Sequence, residues 1–317
     1  MKLNLTKYMN INRIEFVITN QCSGKCKHCQ SGDEINKKDS HNHVIADKAT
    51  EIVEKLASVF DITSVMTFGG EPLLYPAIVS NIHKKATECN VKTRQIITNG
   101  FFTSNKEASK KVAISLRDAG VNNLLISVDG LHQETIPIKP VKQFIIDVID
   151  AKIPDAYLYP AWVVNESHNN PYNKKTKEIL KQLSDLPIPI AGNIVELNGS
   201  AANHLTEYYD VSPLSLSDSR LSEPCFSPLA VNTICINPNG DVWSCCGVIG
   251  NVYLDDILDI IARYNPNENK CASAIMNGGI IELLTLAEKQ GITVDITKYY
   301  SICWDLCNSI SKCISEK

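Results

Sequence analysis

Cys22, Cys26 and Cys29 stand close together in the stretch QCSGKCKHCQ, residues 21–30. Thiolates at such short spacing point to metal ligation. A structural zinc ion or an ordinary iron–sulfur cluster takes four protein ligands, and no fourth cysteine lies nearby. Whether the missing ligand is a defect or a purpose has to be read from the rest of the chain. The chain has 12 cysteines in 317 residues. Cys89 stands alone, while Cys225, Cys235, Cys245, Cys246, Cys271, Cys303, Cys307 and Cys313 crowd the last third. A chain this long does not need a disulfide framework, so their distribution implies two metal regions.

These cysteines need a scaffold, and the composition provides one. With 44% hydrophobic residues the chain can bury a full core, as one large domain or a large one plus a small one. Its formal net charge of −4 comes from interspersed acids and bases, with no long basic run to grip nucleic acid or anionic lipid. There is no signal-type apolar region near the N-terminus and no run of apolar residues long enough to span a bilayer. The expectation is a cytoplasmic protein with neither nucleic acid nor membrane as partner.

For about two hundred residues, apolar strand-like runs alternate with helical patterns, the sign of repeated βα units and a parallel sheet. Strands are expected at 14–19, 64–68, 94–98, 123–128, 156–164 and 192–197, with helices at 46–60, 78–89, 105–120, 141–151 and 174–184 between them. From about residue 206 the pattern changes to short strands with Ser, Pro, Asn and Gly. Asn239-Gly240 marks a hairpin, because both residues tolerate positive φ. Two helices are expected to follow, around 254–264 and 275–290. In parallel α/β folds ligands bind on the loops after the strands. The cysteine loop is there after the first strand, GGEP (69–72) after the second, TNG (98–100) after the third and SVDG (127–130) after the fourth.

That ordered series, Cys22-Cys26-Cys29, Gly69-Gly70-Glu71-Pro72, Asn99, Ser127 and Asp129, resembles the radical S-adenosylmethionine (SAM) enzymes. The resemblance implies an α/β fold, a partial (βα)6 barrel over residues 1–205. It also implies that the three thiolates hold a [4Fe–4S] cluster whose remaining iron binds SAM, so that electron transfer yields methionine and a 5′-deoxyadenosyl radical. Gly69, Gly70 and Glu71 are then expected to meet the methionine amino group through carbonyls and a carboxylate. Asn99, Ser127 and Asp129 are placed like the family's contacts to the ribose and the methionine carboxylate, although Asp129 could instead cap a turn at Gly130. His28 falls where the family has an aromatic residue near adenine, and its plain alternative is a spacer. LNGSA (197–201) resembles the family's glycine-containing adenine contact.

Residues 206–317 resemble a second module of these enzymes, a small α+β, cysteine-rich auxiliary-cluster domain of the SPASM or shorter twitch type. Cys225 and GDVWSC (240–245) match its opening, but the C-terminus lacks the full cysteine set. One auxiliary [4Fe–4S] cluster is expected, on Cys225, Cys245, Cys303 and Cys307 with Cys313 as alternate; a zinc knuckle on the same thiols is the competing reading. Cys246 beside Cys245 resembles a cysteine of radical SAM peptide epimerases that returns a hydrogen atom to a Cα radical. Its bland reading is a small buried hydrophobe. Cys89, Cys235 and Cys271 default to structural roles.

The leading expectation is Cα epimerisation, L to D, of a ribosomally made precursor peptide, with an electron donor such as flavodoxin or ferredoxin as second partner. Rival readings are a thioether-forming maturase, a dehydrogenase of the sulfatase-maturing type, radical chemistry on a small molecule, and a non-catalytic iron–sulfur or zinc scaffold. Because the cluster loop begins at residue 22, no leader-binding winged helix is expected before it, so the precursor is expected to dock on the barrel and auxiliary domain or on a separate protein.

Overall fold

The computed structural model describes residues 6–36, 43–245 and 247–315. Five parallel strands form its centre: β1 (Met9–Val17), β2 (Ser64–Phe68), β3 (Thr93–Thr98), β4 (Asn123–Ile126) and β5 (Asp155–Leu158). The connecting helices are α1 (Ala46–Val59), α2 (Pro76–Glu88), α3 (Lys106–Asp118) and α4 (Ile138–Ala151). Parallel strands need such crossovers, which leave every strand's C-terminal end on the same edge of the sheet. From Arg13 onward strand β1 alternates: Ile14 and Phe16 are fully buried in the helix-covered core, while Arg13 and Glu15 point the other way, into the barrel lumen; Ile11, also buried, precedes this stretch across an irregularity in the β1–β8 register. Local chemistry sets the helix starts, as at α3, where the Asn105 side chain accepts from the Ala108 N–H at 3.0 Å.

The strand expected at 156–164 is interrupted. After β5 the chain passes through Tyr159-Pro160 and resumes as β6 (Ala161–Trp162); Pro160 has no N–H to continue a ladder. Helix α5 (Pro171–Gln182) follows, then β7 (Asn193–Ile194), which pairs with β6 over two residues and joins the main sheet only through a Leu158–Ile190 bridge. The sixth barrel strand is therefore short. The six-residue helix α6 (Gly199–His204) comes next.

The last third does not form a sheet of its own. Strand β8 (Val231–Ile236) lies parallel to β1, with Glu15 opposite Cys235, and continues antiparallel into β9 (Asp241–Ser244) and β10 (Gly247–Asn251). The sheet order is β10-β9-β8-β1-β2-β3-β4-β5. The turn from β8 to β9 uses positive φ at Gly240 (88°) but not at Asn239. Residues of β8, β9 and α7 (Ile257–Arg263), such as Ile234, Val242 and Ile260, pack in the same core as the barrel. A second core joins Leu221, Cys271, Leu306 and Ile310, on and around α8 (Lys270–Lys289) and α9 (Asn308–Ser315). The two cores interleave along the chain: Leu214 and Leu221 belong to the second, whereas Val231 to Tyr264 pack with the first. Helix α8 is long and apolar enough to cross a membrane, but it is broken at Gly278 and Gly279 and buries Ile275 and Leu283 in that second core.

Candidate active site

The loops after β1, β2, β3 and β4 meet at one edge of the sheet. The second is zipped onto the chain leading to Cys22: Gly70 N–H donates to Thr19 O at 2.7 Å and Glu71 N–H to Gln21 O at 2.8 Å. Such close backbone approach requires the two glycines. A Cβ on Gly69 (φ 127°) would lie 2.7 Å from Thr19 O, and one on Gly70 would collide with the Gln21 carbonyl.

Glu71 is fully buried, and its carboxylate is directed inward. One oxygen accepts from Leu73 N–H at 2.9 Å and Thr98 Oγ1 at 2.7 Å, the other from Asn99 N–H at 2.8 Å. Burial nevertheless raises its pKa to about 7. The carboxylate expected to meet an amino group is a strut between the second and third loops, behind a Pro72 that opens the short buried turn Pro72–Leu74. Glu71→Ala leaves three donors without an acceptor, and chemical denaturation of the variant is expected to show a loss of about 2–4 kcal/mol.

Asn99 completes the strut. Its Nδ2 lies 3.5 Å from Cys22 Sγ and 3.2 Å from Ser23 Oγ, and its Oδ1 accepts from Phe101 N–H at 2.8 Å. Ser127, also buried, anchors the end of β4 through its N–H on Thr98 O at 2.8 Å. Asp129 follows the turn-capping alternative. Fully buried, it accepts from Leu131 N–H and His132 N–H, both at 2.9 Å, from His132 Nδ1 at 2.7 Å and from Ala161 N–H at 3.0 Å. Four bonds fill a carboxylate's acceptor capacity, so ribose hydroxyls have no free oxygen there. His28 packs edge-to-face on His132, ring centroids 4.6 Å apart. Burial, then the neighbouring His132, lowers the His28 pKa to about 4.

The three loop thiols are held up by burial, Cys22 to about 11, and each other's charge adds to the rise for Cys22 and Cys26. Nearby cationic metal is what makes such thiols thiolates. Their sulfurs are not a group lying mutually within 4.8 Å; among the described residues that arrangement belongs to His28, Asp129 and His132. A tetrahedral zinc site with bonds of about 2.3 Å would bring sulfurs within about 3.8 Å, so the wider triplet fits a cluster better than a single small ion. The model of the Radical SAM superfamily matches residues 16–210, more than half of the chain.

The chain belongs to the radical SAM superfamily. Membership implies a [4Fe–4S] cluster and SAM, and the three loop thiols fit the cluster. A GTP 3',8-cyclase of Alkaliphilus oremlandii (strain OhILAs) is 31% identical over 124 residues, 39% of this chain and 37% of that protein. Its counterpart in Desulforamulus reducens (strain ATCC BAA-1160 / DSM 100696 / MI-1) is 27% identical over 126 residues, 40% of this chain and 37% of that protein. The chain therefore spans little more than a third of the length of these relatives. Among solved structures, native anSMEcpe with bound AdoMet has a TM-score of 0.52 at 12% identity, over 96% of this chain and 95% of that one.

In this radical SAM chain the expected auxiliary ligands come together from distant positions. The Cys303 thiol is raised first by burial and then by Cys225, Cys307 and Cys245, which places those three cysteines around it. The break in α8 contributes: the Ile275 carbonyl accepts from Cys225 N–H at 3.1 Å, just before the non-helical Gly278 and Gly279. Cys313 lies exposed on α9, Cys271 is buried beside Cys307, and Cys89 is the C-terminal cap of α2. Cys246 lies outside the described residues.

The LNGSA segment packs directly against the cluster loop. Gly199 (φ 50°) rests on the cluster loop's backbone, where a Cβ would be 2.5 Å from Cys29 O. Ser200 N–H donates to Cys29 O at 2.9 Å, and Gly199 N–H donates to Asp305 Oδ2, between Cys303 and Cys307, at 3.2 Å. One glycine thus links the two cysteine groups.

The lumen holds residues that sequence reasoning passed over. Arg13 donates to Glu15 at 2.6 Å, Ser64 at 2.9 Å and Gln95 at 3.0 Å, and Gln95 Nε2 to Asn123 at 2.7 Å. Cys235, opposite Glu15 and Trp243 in register, joins this polar floor. The available signal was a pair of charged residues, Arg13 and Glu15, at alternate positions beside the apolar Ile14 and Phe16 of a strand in a parallel sheet.

Proposed function

We propose that this radical SAM enzyme epimerises a residue of a ribosomally made peptide at Cα, with Cys246 returning the hydrogen atom and a single auxiliary [4Fe–4S] cluster on Cys225, Cys245, Cys303 and Cys307. The observation that supports it best is the gathering of those four thiols, next in sequence to Cys246 and tied through Gly199 to the Cys29 loop. Bound cluster and SAM supply a primary carbon radical that takes the Cα hydrogen. The protein's part is to hold the peptide and to break the S–H bond of a thiol while a new Cα–H bond forms on the opposite face. The sulfur radical left behind takes up one electron, from a donor such as flavodoxin or ferredoxin, and one proton. A thiol suits this only when protonated and free of metal. Cys235, a half-buried thiol held well above its ordinary pKa by desolvation and Glu15, is the natural comparison residue.

Chiral analysis and mass spectrometry of the precursor peptide after anaerobic turnover test the reading. The expected product has unchanged mass and one D-residue, formed by wild type and Cys235→Ala and lost in Cys246→Ala. A product lighter by two hydrogens would sink epimerisation in favour of a thioether-forming or dehydrogenating enzyme. The similarity to GTP 3',8-cyclases supports a second reading, radical chemistry on a nucleotide. The lumen speaks against it: among its described strand residues the cation is Arg13, already paired with Glu15 at 2.6 Å, whereas a triphosphate calls for unpaired cations.

A further inference from the structure

Parallel pairing arranges the lumen face of the sheet in rows. Glu15, Met66, Gln95, Asn123 and Asp155 are register partners in turn from β1 to β5. Two residues further along the strands, about 6–7 Å nearer the cysteine loop, Val17 pairs with Phe68, and Leu125 pairs with Ile97 on one side and Tyr157 on the other. None of these five side chains belongs to a hydrophobic core, and Val17, Phe68, Ile97 and Tyr157 are only half-buried. An apolar collar with free surface thus stands over a polar floor.

The charges of that floor are unequal. Arg13 is held by four acceptors: Glu15 Oε1 at 2.6 Å, Ser64 Oγ and Met66 Sδ, both at 2.9 Å, and Gln95 Oε1 at 3.0 Å. It has little left to offer a ligand. Glu15 gives one oxygen to this network; the other has no partner among the described residues, and 19% of the side chain is exposed. Asp155, exposed in the same row, forms no ion pair among the described residues. Two carboxylates therefore accompany one engaged guanidinium, and the floor is net negative. The Glu15 charge is felt across the lumen, where, after desolvation, it raises the Cys235 thiol.

An anion is repelled by such a floor. A hydrocarbon would strip water from the open Glu15 oxygen without replacing its hydrogen bond. A neutral amide would donate to it but leave the negative charge unbalanced. A cation on a long apolar stem suits both rows, with methylenes against the collar and a charge-assisted hydrogen bond at the floor.

We propose that the lumen is a pocket for a basic side chain of the substrate, lysine or arginine, whose cation is met by the open oxygen of Glu15. Arg13, by engaging one Glu15 oxygen, leaves the other for the ligand. The inference rests on the peptide reading for its substrate and deepens it by naming a side chain that the peptide carries.

Anaerobic equilibrium dialysis of the reconstituted holoenzyme with SAM, at about physiological ionic strength, tests it with four probes: N-acetyl-lysine N-methylamide, its norleucine and glutamine counterparts, and n-butylammonium. Norleucine keeps the stem without the cation, and glutamine keeps a donor without the charge. The lysine probe is expected to bind about tenfold tighter than either, and n-butylammonium to displace it. Glu15→Gln still accepts from Arg13 and is expected to bring the three amino-acid probes level, with iron content and thermal midpoint reporting its folding. Should that variant lose iron, the ranking on wild type carries the test. Norleucine binding as tightly as lysine, a lysine probe that n-butylammonium does not displace, or a lysine preference that survives Glu15→Gln would overturn the proposal. The expected ranking without epimerisation of any precursor would uphold the pocket and remove the peptide reading. A precursor epimerised equally well with norleucine in place of its basic residues would do the reverse.

Discussion

Cys22→Ala/Cys26→Ala/Cys29→Ala, reconstituted without oxygen, is expected to cleave no SAM yet to keep roughly half of the wild-type iron, about four of about eight atoms per chain. The argument has two parts. The triplet lies on a loop held from behind by Gly70, Glu71 and Asn99, all of which keep their own partners when the thiols are removed. In the second group Cys225 and Cys307 belong to a different core around α8 and α9 and Cys303 lies on the turn leading to α9, while Cys245 directly follows β9. Iron and acid-labile sulfide analysis, with 5′-deoxyadenosine detection, reads both. A variant with no iron would mean that the C-terminal thiols hold zinc or nothing, and the auxiliary-cluster proposal would fail.

Gly199→Ala should have the next largest effect, because it acts on both cysteine groups at once. Its Cβ would press on the Cys29 carbonyl in a left-handed conformation that alanine adopts poorly, and relief requires moving either the cluster loop or the Asp305 segment. Overpacking of this kind costs about 1–3 kcal/mol. The expected result is a lower thermal midpoint, with SAM cleavage reduced more steeply than iron content, because the cluster still assembles but sits displaced from the SAM contacts. A variant with wild-type cleavage would show that the bridge between the two groups has no functional weight.

The sequence was most legible where local pattern and tertiary role coincide. Strands β2 and β3 and helices α1 to α4 carry their period openly, and the glycine-bearing loop after β2 falls where a parallel sheet puts ligands. Legibility failed where a residue's role depends on a partner distant in sequence. Nothing local to Val231–Ile236 says that it will pair with β1, and so nothing reveals that Cys235 faces the lumen opposite Glu15. Strand β10, GVIGN, was missed because its glycines hide the alternation. The strand at 156–164 was overextended across Pro160, whose missing N–H was present in the sequence as a warning.

The roles of Glu71, Asp129 and Gly199 form a different class. Their positions follow from motif order, but their work does not. Glu71 and Asp129 are saturated by donors from the protein itself, and Gly199 supports a backbone. For Asp129 a signal did exist, a histidine three residues later, at a spacing where a turn-capping carboxylate meets the ring of the residue it caps.

The most direct test of the account is turnover of the precursor peptide in deuterium oxide with SAM and reductant. The account predicts one deuterium at the Cα of the new D-residue, delivered through a thiol that exchanges with solvent, and none in Cys246→Ala. A modified peptide with no deuterium at Cα would contradict it, because the hydrogen would not have come from an exchangeable protein thiol.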